Sequence, residues 1–169
     1  ALASFIEDNE EVLPIPVGDK VCEDETYLKY HGKWGYLFRA FNPVSRAIVA
    51  EHFSVHRDTM GAIILNKKVA DLYLKNCRDP EFTLVSDRAP IYPAAISYLY
   101  DRKKAIIRHE AVKGIFDEDN EKSEYRSEKQ MIERSFESLK SAVKRRRKFG
   151  SLKGAKTFCY LHKIYYNHL

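Results

Sequence analysis

Ile132, Phe136, Leu139 and Val143 recur at the spacing i, i+4, i+7 and i+11 within "MIERSFESLKSAVKRRRKFG", residues 131–150. That is one apolar stripe of a helix, and it is expected to lie against a sheet. The helix is expected over roughly 127–148, with a second closing the chain at 152–168. Upstream the pattern shortens to strand-length runs. "VCEDETYLKY" reads as a strand, "HGK" as a turn and the aromatic-rich "WGYLFRAF" as a second strand. "NPVSR" is another turn and "AIVAEHFSVH" a third strand, so three strands joined by short turns predict an antiparallel meander.

In "TMGAIILNKKVADLYLKNC" Ile64, Val69, Leu72 and Tyr73 return to near-helical spacing. "FTLVSD" then reads as a short buried strand, "YPAAISYLYD" as a helix and "KAIIRH" as a last strand. The polar stretch "DEDNEKSEYRSEK" is either a loop or the exposed start of the following helix. Residues 1–19, acidic and then proline-punctuated, read as a lead-in to a single domain over 20–169. The order βββ-α-β-α-β-α-α predicts an α/β fold, a mixed sheet with helices on its faces as in ribonuclease-H-like domains.

Charge sharpens the picture. Beside the apolar stripe runs a second one, Glu133, Glu137, Lys140 and Lys144, which Arg147 extends. Two glutamates one turn apart repel each other mildly unless a cation is near. The cations culminate in five in a row, Lys144, Arg145, Arg146, Arg147 and Lys148. A solvated flank or a favourable helix C-terminus would explain some of them; phosphate binding explains their concentration better. The net charge of +5 agrees with a polyanionic partner. With 169 residues and 44% hydrophobic content the chain can bury one core. Cys22, Cys77 and Cys159 are odd in number and lack CxxC spacing, which suits reduced thiols in a cytoplasmic protein. No apolar run approaches the ~18 residues of a membrane span and no signal-peptide pattern is present. The chain is expected to be part of a longer protein.

Two further acids stand out. Asp24 lies inside a strand, where aspartate is unfavourable and costly to bury unpaired. It either faces solvent between Glu23 and Glu25 or serves a site. Asp87 ends the run "TLVSD", where a turn or helix N-cap and a ligand at a strand's carboxyl end are about equally reasonable. His52, His56 and His109 have no ligand spacing and are expected to be structural or surface residues.

"DETYLKYHGKWGYLFRAF", "VSDRAPIYPAAI" and "IERSFESLKSAVKRRRKFGSLKGAKTF" together resemble prokaryotic insertion-sequence transposases with an Asp-Asp-Glu, integrase-like catalytic core. The resemblance runs from about residue 20 to the C-terminus in three blocks in the family's order. It implies Asp24, Asp87 and Glu133 as catalytic and metal-binding acids, and Lys140 as the basic residue near the DNA end. Trp34, Tyr36 and Arg39 match positions expected to be structural. The chain departs from the pattern at Asn42, where the family usually has an acid, and at Gln130, where it has Asn. Asp87 and Glu133 are also 46 positions apart, more than is usual, and the excess is expected in the charged stretch before the helix. Glu121 would restore the spacing but lacks the apolar stripe, so Glu133 is preferred.

The resemblance implies Mg²⁺ (or Mn²⁺), two ions, as cofactor; carboxylate oxygens suit such hard cations. It implies DNA ends and target DNA as partners, a homo-oligomer on DNA, and a place beside the nucleoid in a prokaryotic cytoplasm. The rival readings are a structure-specific nuclease of the same fold and a DNA-binding module without catalysis.

Overall fold

The computed structural model describes residues 18–76, 81–103, 106–112, 123–146 and 148–168. Residues 1–17 of the expected lead-in, Cys77, Arg147 and residues 117–122 of the charged stretch, Glu121 among them, lie outside the described residues.

Three strands open the fold: β1 (Lys20–Tyr30), β2 (Lys33–Asn42) and β3 (Ala47–Ser54). They are joined antiparallel, as the meander pattern predicts. The β1–β2 turn has two residues, His31 and Gly32, with φ of 45° and 78°. Positive φ at both central positions lets a two-residue hairpin match the twist of its strands. Asn42 organises the next turn, its Oδ1 accepting from Val44 N at 2.9 Å and Ser45 N at 3.0 Å. β3 stops at Ser54, short of the expected end, because Ser54 Oγ accepts from His56 N at 3.1 Å and turns the chain away.

Helix α1 (Thr59–Asn76) follows, its first turn capped by Asp58, whose Oδ1 accepts from Gly61 N at 2.9 Å. Gly61 lies against the sheet so closely that a Cβ would fall 2.5 Å from Phe38 Cε2. Strand β4 (Glu81–Ser86), helix α2 (Ile91–Lys103), strand β5 (Ile106–Ala111), helix α3 (Ser123–Arg146) and helix α4 (Leu152–His168) complete the chain. Part of the charged stretch is therefore helical: α3 begins at Ser123, a turn earlier than expected. Ser151 caps α4, with its Oγ 3.0 Å from Gly154 N.

The sheet order is β3-β2-β1-β4-β5, with β1, β4 and β5 parallel. Its two faces carry separate cores. Cys22, Leu28, Leu37, Phe41 and Ile48 pack against Ile132, Phe136 and Leu139 of α3 and Ala155 and Cys159 of α4. Val21, Phe38, Ala40, Val49, Phe82 and Leu84 pack against Leu65 and Val69 of α1 and Tyr92 and Ala95 of α2. Three members of the apolar stripe read from the sequence, Ile132, Phe136 and Leu139, are thus buried. Each such burial contributes about 1.5–3 kcal/mol. Cys22 and Cys159 are free, buried thiols, and burial pushes Cys22 up to about 12, so neither is poised to react.

Candidate active site

Parallel pairing positions the first two acids. Lys20, Val21 and Cys22 of β1 lie beside Thr83, Leu84 and Val85 of β4. Continuing that register sets Asp24 level with Asp87, one position past the end of β4. Ligand atoms of Asp24, Asp87 and Glu25 all lie within 4.8 Å of one another. Asp87 makes a turn and also lies in this acidic cluster. Its Oδ1 accepts from Ala89 N at 2.9 Å, making the turn into α2. Asp24 is held the same way, Oδ1 accepting from Glu25 N at 2.9 Å.

Asp24 is half-buried, between the two alternatives its sequence context offered. Burial, chiefly, raises its carboxyl to about 6, with Glu25 and Asp87 adding to the rise and Lys129 opposing it. A concentration of carboxylates that raises its own proton affinity is a ready place for a divalent cation. The donor set, all carboxylate oxygen, fits Mg²⁺.

Glu25 was not anticipated, and its partners give it a different task. Arg57 Nε donates to its Oε1 at 2.6 Å, and the Tyr92 hydroxyl donates to Oε2 at 2.5 Å. Both oxygens are engaged, so Glu25 reads as a brace at the edge of the cluster. Behind it, Glu23 is fully buried. The Asn66 amide, turned with its nitrogen toward the carboxylate, lies 2.6 Å from Glu23 Oε2. Strand alternation explains the sorting: Asp24 shares a face with Cys22 and Leu28, whereas Glu23 and Glu25 share the other with Val21.

Helix α3 runs alongside β1 in the same direction. Lys20 Nζ is 3.2 Å from Glu128 Oε1, Lys140 Nζ is 5.9 Å from the Tyr27 ring centre, and Tyr30 bridges to Phe149. Arg39 sets the height. It pairs across the ladder from Asp24, and its Nη1 donates to Ser135 O at 3.2 Å and Ser135 Oγ at 3.3 Å. Ser135 is therefore at the level of Asp24, and Glu133 is two positions before it. Lys129, whose charge acts on Asp24, and Lys140, which lies over Tyr27, share a helical stripe with Glu133 between them. Glu133 is half-buried on that stripe. Its carboxylate is not among the three that converge within 4.8 Å.

The sequence matches the DDE domain family over residues 18–168. The chain belongs to that family of transposase domains. Among solved structures it is similar to a chain of the simian T-cell lymphotropic virus intasome in complex with PP2A regulatory subunit B56 gamma. The TM-score is 0.61 at 13% identity, covering 92% of this chain and 50% of that one. It is also similar to a chain of the Mos1 strand transfer complex, with TM-score 0.50 and 11% identity over 98% of this chain and 56% of that one. The chain thus spans about half the length of both. These likenesses show the fold, the ribonuclease-H-like sheet expected from the element order. No curated protein matches the sequence.

Within this DDE domain the basic helix end is divided. Lys140, Lys144, Arg145 and Lys148 are exposed. Arg146, also exposed, lies over the Phe149 and Phe158 rings at 5.4 and 5.3 Å, so it caps the core as well. Trp34, expected to be structural, is 50% exposed, whereas Arg39 is fully buried. The histidines stay out of the cluster: His109 Nε2 is 2.8 Å from Ser86 Oγ, His56 is exposed, and burial lowers His52 to about 4. No helix among the described residues is long and apolar enough to cross a membrane.

Proposed function

We propose that this domain cuts DNA at the ends of a mobile element and joins the released strands to target DNA, with Mg²⁺ (or Mn²⁺), two ions, held by Asp24, Asp87 and Glu133. The observation that supports the reading is the meeting of Asp24 and Asp87 at the end of β4, with Glu133 two positions before Ser135, the residue that Arg39 reaches from opposite Asp24. When bound, the ions would stabilise the charge that develops on the oxygens at the reacting phosphorus.

The chain's own residues do the positioning. Asp24 and Asp87 are each tied by one oxygen to a backbone N–H, so their remaining oxygens start in place. Arg39 locks α3 to β2 beside Ser135, which limits where Glu133 can move. Lys140, Lys144, Arg145, Arg146, Arg147 and Lys148 offer cations along and beyond the same helix to hold phosphates in line. With water as the attacking group, the P–O bond breaks to leave a 3′-hydroxyl. With that hydroxyl attacking a target phosphorus, one P–O bond forms as another breaks, and the strands are joined. A homo-oligomer would bring two ends to one target site, and a prokaryotic cytoplasm is where such DNA lies.

The test uses one pre-cut DNA end, target DNA and Mg²⁺. Asp87→Asn and Glu133→Gln should each abolish joining while leaving the fold intact. Glu137→Gln, one turn and ~6 Å further along the helix, should change DNA affinity only, and Glu121→Gln should be nearly silent. Joining by Glu133→Gln together with a dead Glu121→Gln would falsify the assignment of the glutamate. Cleavage without joining in the unsubstituted protein would make it a nuclease.

A further inference from the structure

Among the described residues, nothing covers the far end of the sheet face on which α1 and α2 pack. Beyond Glu25 the same face of β1 and β2 presents Tyr27, Lys29 and Trp34, with Tyr27 59% and Trp34 50% exposed. Large aromatic surface left in water is unfavourable and marks an interaction site more often than chance. Tyr27 and Trp34 pack edge to face, ring centres 5.1 Å apart at 86°. Each ring carries an ammonium: Lys29 Nζ is 5.3 Å from the Trp34 ring centre, and Lys140 Nζ is 5.9 Å from that of Tyr27. His31 and Lys33 are exposed at the hairpin tip next to them. Between Glu25 and Glu51 the sequence has no acidic residue at all. An aromatic pair with a lysine over each ring has the composition of a nucleotide-stacking platform, in which rings take bases and lysines take phosphates.

Its place in the fold adds a second argument. β4 ends at Ser86, and among the described residues β1 past Cys22 has no ladder partner on that side until Tyr30 bridges to Phe149. Lys140 reaches Tyr27 past this open edge. Tyr27 is three residues along β1 from Asp24, ~10 Å away, and Lys140 is two turns along α3 from Glu133, also ~10 Å. The platform therefore lies about one to three nucleotides from the acids.

We infer that Trp34 and Tyr27 stack an unpaired base of the DNA strand next to the reacting phosphate, with Lys29 and Lys140 moving from the ring faces to the flanking phosphates. The inference rests on the DNA reading above and adds to it a preference for frayed or single-stranded ends. A base sliding onto a ring displaces an ammonium whose nearest new partner is the phosphate of the same nucleotide.

Trp34 is the only tryptophan in the chain, so intrinsic emission reports on this site alone. The full chain is titrated in Mg²⁺-free buffer with two DNA probes: a blunt duplex, and the same duplex with a single-stranded thymidine overhang. Stacking predicts that the overhang quenches tryptophan emission and the blunt duplex does so much less. Trp34→Ala should weaken overhang binding by roughly 5- to 150-fold and leave blunt-duplex binding within about twofold, with Trp34→Phe recovering most of the loss. Unchanged emission at saturating overhang, or an overhang affinity that Trp34→Ala leaves unchanged, overturns the platform while leaving duplex binding and strand joining as the check on the DNA reading. Binding of neither probe by the unsubstituted protein overturns both. A mass that falls on Trp34→Ala in DNA-free sedimentation identifies the patch as a contact between copies instead.

Discussion

Replacing Arg39 by Met should cost the fold about 3–5 kcal/mol near pH 8. The guanidinium is fully buried, and its Nη2 lies 3.2 Å from Oε2 of Glu51, whose side chain is 9% exposed. Methionine keeps most of the length and volume, so the loss comes mainly from a carboxylate left buried without its counter-charge. For a domain of this size each kcal/mol corresponds to ~2–4 °C in Tm, which gives a fall of roughly 6–20 °C. Burial raises the Glu51 carboxyl above its usual 4.5, and Arg39 is the first of the groups that oppose the rise. A carboxyl raised in the folded state contributes stability that is complete below its unfolded value and lost as pH climbs through the folded one. Removing Arg39 carries the folded value higher still. The deficit should therefore be small near pH 4.5 and grow toward pH 8.

Adding Glu51→Gln to Arg39→Met should recover most of the deficit at pH 8 and flatten its pH dependence. Thermal unfolding of the unsubstituted protein, Arg39→Met, Glu51→Gln and the double variant at pH 5 and pH 8, in EDTA, reads this directly. A loss under about 1 kcal/mol at pH 8, the size of an average substitution, would refute the reasoning, and so would a double variant no better than Arg39→Met. The same variant has a consequence for function. Arg39 holds α3 at Ser135, so strand joining should drop even at temperatures where Arg39→Met is fully folded.

Asp24→Asn should raise Tm in EDTA at pH 8, because it removes one of three carboxylates within 4.8 Å and relieves up to about 3 kcal/mol of repulsion. The rise in Tm that Mg²⁺ gives the unsubstituted protein should shrink in this variant; a lower Tm in EDTA would count against the mutual repulsion. Single alanine substitutions at Lys144, Arg145 and Lys148 should each reduce the salt slope of DNA binding by about one. Slopes unchanged in all three would mean a solvated flank. Arg146→Ala should instead lower Tm, since its guanidinium lies over Phe149 and Phe158.

Periodicity made most of the fold legible. Strand-length runs with short turns and a long amphipathic stripe are local signals, and each element they predict is found. What they missed has a physical reason. Asp87 could not be divided between turn and site because the same carboxylate accepts from Ala89 N–H in the turn and lies in the acidic cluster. Glu25 could not be singled out because its role depends on Arg57 and Tyr92, residues 32 and 67 positions away. Trp34 looked structural because it matched such a position in the resemblance; nothing local says that α1 and α2 stop short of it. Asn42 departs from the family's acid, yet its Oδ1 ties two backbone N–H groups of the turn, a task that needs an oxygen and no charge.

Strand alternation links these details into one design. On β1, Asp24 points toward α3 while Glu23 and Glu25 point toward α1 and α2, so consecutive acids enter different environments. Glu23 is enclosed beside Asn66, Glu25 is braced by Arg57 and Tyr92, and Asp24 alone emerges where β4 ends and the sheet edge opens. The short length of β4 is therefore as important as the acids themselves. Were β4 two residues longer, a ladder partner would lie beside Asp24 and close the edge through which Lys140 reaches Tyr27. The parallel register levels Asp24 with Asp87, and Arg39, paired with Asp24, reaches Ser135 on α3; Glu133, two positions before Ser135, is the acid we propose to complete the site.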